Sequence, residues 1–112
     1  MARFGNLMDK QFAAAIEVLS ADLLWSMVSH AVDFEREKID VYALLEESRP
    51  WSHGQQLMLE AAIALFHGSS TIDDRQLARL GDLVTTLDNG NLRVVLNAVR
   101  IARGWPRVET QG

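Results

Sequence analysis

Apolar residues recur along this chain in steps of three and four, the spacing that lines one face of a helix. From Asp9 to about Glu37 they fall at Phe12, Ile16, Leu19, Leu23, Met27, Ala31 and Phe34, with Leu24, Val28 and Val32 widening the face. Glu17, Ser26, His30, Asp33 and Glu37 take the other side. The pattern predicts one long helix, or two with a break where Ser20-Ala21-Asp22 offers a second cap. A further segment starts at Asp40 as N-cap, turns Val41, Leu44 and Leu45 inward, and stops before Pro50, which pushes its predecessor out of helical geometry.

The next helix opens at Trp51-Ser52-His53-Gly54-Gln55-Gln56. Ser52 and Gln55 have the spacing of a capping box, in which each side chain satisfies the other's backbone N–H. Leu57, Met58, Ala61, Ala62, Leu65 and Phe66 form its buried face, and Gly68 its C-cap. A fourth helix is predicted from Asp73 as N-cap, with Gln76 completing a second box and Ile72 stapled onto Leu77. Its seam is Leu77, Leu80, Val84 and Leu87, and Gly81 on the same side reads as a point of close helix approach. In Asp88-Asn89-Gly90-Asn91, Gly90 reads as C′ and Asn91 as the next N-cap. Both flanks are helix-periodic, so this Asn-Gly is not a hairpin turn.

The last helix, Leu92 to Arg103, is apolar nearly all round: Val94, Val95, Leu96, Ala98, Val99, Ile101 and Ala102 leave a narrow stripe of Arg93, Asn97 and Arg100, with Arg103 beside it. A helix of that kind is a buried one. It is expected to be the central post of the bundle or half of a dimer interface, and Gly104 ends it.

Composition narrows the chemistry. The 112 residues carry 15 acidic and 11 basic side chains, a net charge of −4, which disfavours a broad nucleic-acid footprint. Cysteine is absent, which removes disulfides, thiolate nucleophiles and cysteine-ligated metals. The start lacks a secretion-signal pattern, and Glu17, Asp22 and His30 interrupt the most apolar stretch, so no membrane span and a cytoplasmic setting are expected.

The Ser52-His53-Gly54-Gln55 start resembles the nucleotide-binding signature of ABC-transporter ATPases, whose serine and backbone N–H groups face phosphate at a helix N-terminus. It departs at Trp51 and His53, and no Walker A pattern accompanies it. A capped helix start accounts for the stretch, with Ser52, His53, Gly54 and Gln55 kept as anion-site candidates. His30, Asp33 and Glu37, at i, i+3 and i+7, would share a helix face, but without a second ligating helix they read as a solvated face. No nucleophile elbow or glycine-rich phosphate loop is present. Trp51 reads as packing on the bundle end. Arg93, Asn97, Arg100, Arg103 and Trp105 are the candidates for contact with a partner.

Taken together, Trp51, Ser52, Gly54 and Gln55, followed by Leu87, Asp88 and Asn91 opening a final apolar helix, resemble small helical proteins of actinobacteria and their phages. The resemblance covers the second half of the chain. It implies no activity, and it implies a phage–host setting.

The expected fold is all-α, a compact bundle of four to five helices with a mostly buried C-terminal helix. It forms one domain over residues 1–112, loose at 1–8 and 105–112. The expected function is a non-enzymatic protein-interaction or regulatory module, without cofactor, that binds a protein partner and forms a homodimer. The alternatives are a helix-turn-helix DNA-binding regulator using the last two helices, and a small metal- or phosphate-dependent enzyme.

Overall fold

Helix α1 (Lys10–Leu19) is the centre of the molecule. Asp9 caps it by accepting the Phe12 N–H. Seven of its ten residues are buried, among them the alanine run Ala13-Ala14-Ala15. Small side chains there let two partners approach at once. The computed structural model describes residues 9–21 and 24–104, so Trp105 and both termini lie outside the described residues. Within that range the chain continues as α2 (Leu24–Val28), a 3-10 turn (Ser29–Ala31), β1 (Val32–Asp33), β2 (Lys38–Ile39) and α3 (Val41–Glu47). Then follow α4 (His53–His67), β3 (Thr71–Ile72), β4 (Arg75–Gln76), α5 (Leu80–Thr86) and α6 (Asn89–Arg103).

The long helices α4 and α6 both pack against α1. Phe12, Ile16, Leu19, Leu44, Met58, Leu59, Ile63 and Leu77 are the largest fully buried side chains of the resulting core. Burying each large apolar chain contributes about 1.5–3 kcal/mol against leaving it in water. Phe12 also meets Phe34 and Phe66 edge-on, at centroid distances of 5.8 and 6.2 Å.

The predicted helix to Glu37 breaks after Leu19, and its last third is a hairpin. Val32 pairs with Ile39 and Asp33 with Lys38. The cause is Asp33, whose Oδ1 accepts the N–H groups of Glu35 and Arg36 and whose Oδ2 accepts from Arg36 Nη1 at 3.0 Å. An aspartate that satisfies backbone donors locally favours a turn over a helix. The backbone N–H of Arg36 first, and its side chain second, hold the Asp33 carboxyl below the usual aspartate range. Glu37, at φ 53°, completes the turn, and its carboxylate accepts the Asp9 N–H at the start of α1.

The predicted start of the fourth helix is also a hairpin. Thr71 pairs with Gln76 and Ile72 with Arg75 across Asp73-Asp74. Asp73 is no N-cap; it stands at φ 52°, a left-handed conformation that aspartate tolerates better than most residues. Gln76 does not close a capping box: its Nε2 donates to the carbonyls of Ser70 and Leu77. The helix that follows starts at Leu80 instead, with Leu83 inside and Leu80 and Val84 exposed. Gly81 faces open space, so it marks no helix approach.

The caps of α3 and α4 fall as the sequence predicts. Asp40 accepts the Ala43 N–H, Ser52 and Gln55 form the full capping box, and Gly68 closes α4 at φ 73°. Trp51 is partly buried and packs against the core. Helix α6 begins one turn earlier than expected: Asp88 is the N-cap, accepting the Asn91 N–H at 2.8 Å, and Gly90 lies inside the first turn. The molecule is thus mostly helical with two small antiparallel hairpins, not all-α. Among the described residues no single helix is long and apolar enough to cross a membrane.

Candidate functional site

The largest departure from the sequence reading is α6 itself. It is not mostly buried, and α1 rather than α6 is central. Only Val95 and Ala98 are fully buried, with Leu92, Val94, Ile101 and Ala102 partly covered against the core. On the opposite side Leu96 is 51% exposed and Val99 42%. The main packing partners of the helix are α1 and α4, and they leave Leu96 and Val99 exposed.

At about 100° per residue, Leu96, Val99 and Arg103 succeed one another along that outer side in steps of three and four, and Leu92, one turn before Leu96, lies at its edge, partly covered by the core. Arg93 and Arg100, one heptad apart, run along one flank. No carboxylate occurs anywhere in α6. Arg93 and Arg103 are exposed and Arg100 is half-buried. The Arg100 Nη1 is buried and has no hydrogen-bond acceptor among the described residues.

Asn97 belongs elsewhere. Its Nδ2 donates to Glu17 Oε2 of α1 at 3.0 Å, so it ties α6 to the core instead of facing outward. Of the five residues expected to meet a partner, then, Arg93, Arg100 and Arg103 gather on the outer side, Asn97 turns inward, and Trp105 lies outside the described residues.

The anion candidates are occupied with one another. Ser52 Oγ accepts the Gln55 N–H, and Gln55 Oε1 accepts the Ser52 N–H, each at 3.2 Å. His53 is exposed. The next residue, Gln56, donates from Nε2 to the carbonyls of Ser48 and Arg49 and so closes the end of α3. A lysine and a glutamine of the first turn of α1 lie beside the C-terminal glycines of α6 and α4, Lys10 at Gly104 and Gln11 at Gly68. Both long helices therefore end beside the start of α1. That leaves Ser52, at the other end of α4, about 20 Å from that shared end.

His30, Asp33 and Glu37 do not share a face. His30 pairs with Glu47 at 2.9 Å, Asp33 with Arg36, and Glu37 with the backbone of Asp9. Among the described residues no group of three or more His, Asp or Glu side chains is placed to hold a metal.

One feature has no counterpart in the sequence reading. Between α3 and the second hairpin lies an open depression of about 350 Å³, lined by Tyr42, Leu45, Glu46, Ile72, Asp73, Asp74 and Arg75. The negative charge of Asp73, and a hydrogen bond to it, hold the Tyr42 phenol above its usual range. Arg75, part of the same lining, pairs with Glu60 at 3.1 Å. No sequence signal marks this pairing, because Asp73 fits a helix cap equally well by spacing.

No protein-family model matches the chain, and no curated protein or solved structure matches it significantly.

Proposed function

We propose that the protein is a non-enzymatic protein-interaction module and that the outer side of α6 is its contact surface. The observation that carries this reading is the aligned exposure of Leu96 and Val99. Single exposed apolar residues are ordinary, but a stripe of them rimmed by charge is how contact sites are built. Arginine is also among the residues most often energetically dominant in such contacts. The three histidines are far from one another along the fold and each is exposed, in the 3-10 turn or at opposite ends of α4; His30 alone pairs with a carboxylate, that of Glu47, on the surface.

Arg93, Arg100 and Arg103 also give the DNA-binding alternative its basis. The middle of the stripe is apolar, however, and a surface that reads phosphates and base edges is polar there.

The test is a photo-crosslinking residue placed at Leu96, with the exposed Thr85 position as control, in a lysate of the source organism with and without nuclease. A discrete protein adduct from position 96 alone, unaffected by nuclease, is expected. Equal labelling from both positions would remove this reading, and an adduct lost with nuclease would move it to nucleic acid.

A further inference from the structure

We infer that the partner of this face is an acidic amphipathic helix, laid along α6 with its apolar residues on Leu96 and Val99 and its carboxylates opposite Arg93 and Arg100. This rests on the reading of α6 as a contact surface and adds the chemistry of what it contacts. Leu96 and Val99, three apart, stand as neighbouring positions do in the seam that two helices share when they pair side by side. The positions flanking such a seam choose the partner by charge. Here both flanking positions on the accessible side are arginine, and the helix offers no carboxylate to neutralise them.

A second copy fits this flank poorly. Antiparallel self-pairing sets the Arg93 and Arg100 flank against the same arginines of the other copy. Parallel self-pairing sets it against the side of Val95 and Ala102, which is turned toward the protein's own core. Neither arrangement brings a carboxylate. A helix carrying glutamate or aspartate beside its apolar seam supplies one at each arginine. It is also drawn to a face that carries Arg93 and Arg100 and no acidic side chain of its own helix.

Three synthetic helical peptides with the same leucine seam, flanked by glutamate, glutamine or lysine, would be titrated against the full chain by fluorescence anisotropy at low ionic strength. The glutamate peptide is expected to bind about fivefold tighter than the glutamine peptide, with the lysine peptide weakest. The order should reverse on R93E/R100E and all binding should fall on L96D. If R93E/R100E fails to fold, R93E alone, at an exposed position, should narrow the preference for glutamate. Equal binding of all three peptides, abolished by L96D, would keep the contact face and overturn the acidic partner. Binding by none of them, or preference for lysine, would overturn the inference, while crosslinking from position 96 decides the contact surface separately.

Discussion

Asn97 of α6 donates to Glu17 of α1 at 3.0 Å across 80 residues of chain. Seven residues back along α1, Lys10 lies beside Gly104, seven residues forward along α6. The two contacts keep one antiparallel register over about 10 Å of helix. That register decides which side of α6 faces inward, and hence which side is left for a partner.

Removing either member of the Asn97–Glu17 pair should weaken the fold. The bond is half-buried and one partner is ionised, so N97A or E17A should each cost about 1 kcal/mol in urea denaturation. The double variant should cost less than the sum, because the two act as one contact. Fully additive losses would show that the bond contributes nothing.

Gly104 should resist replacement. It stands at φ 80°, and a Cβ there would lie 2.7 Å from Lys10 Nζ. G104A should lose about 1 kcal/mol from backbone strain alone, measured by thermal unfolding. Shortening the neighbour as well, in K10A/G104A, should recover none of the backbone part, because that strain is independent of the space available.

Tyr42 is the only tyrosine in the chain, so its ionisation can be followed directly by ultraviolet difference absorbance. Asp73 raises its pKa above the usual 10.0, and D73N should bring the midpoint back toward that value. The protonated phenol is the form that Asp73 favours. The stabilisation is therefore complete below pH 10.0 and is lost as the pH rises through the higher folded-state value. An unchanged midpoint in D73N would show that the two groups do not interact.

The starts of α3 and α4 and the glycine stops were legible in the sequence, whereas that of α6 was not: Asp88 is the cap, and Asn91, read as the cap, is the residue whose N–H it accepts. Asp40, Ser52 with Gln55, and the glycine stops at Gly68 and Gly104 depend on residues a few positions apart. The hairpins were not, because Asp33 and Asp73 carry the same oxygen atoms whether they cap a helix or fold a turn. Local spacing does not decide between the two uses. What decides is the pairing that follows, Val32 with Ile39 and Ile72 with Arg75. The partner face was half legible. The arginines and the apolar surplus of α6 were visible, but an all-round apolar pattern does not say which side the core takes. That side is set by α1, whose three successive buried alanines could not be ranked above α6 by periodicity alone.

The most direct test compares unfolding free energies of L96D/V99D and A98E at two protein concentrations. Ala98 is fully buried, so A98E should lose several kcal/mol or fail to fold, through burial of an unpaired charge. L96D/V99D should stay within about 0.5 kcal/mol of the parent at both concentrations, as expected of a face that folding does not use. A loss in L96D/V99D as large as that of A98E, independent of concentration, would place the outer side of α6 in the core and contradict the account.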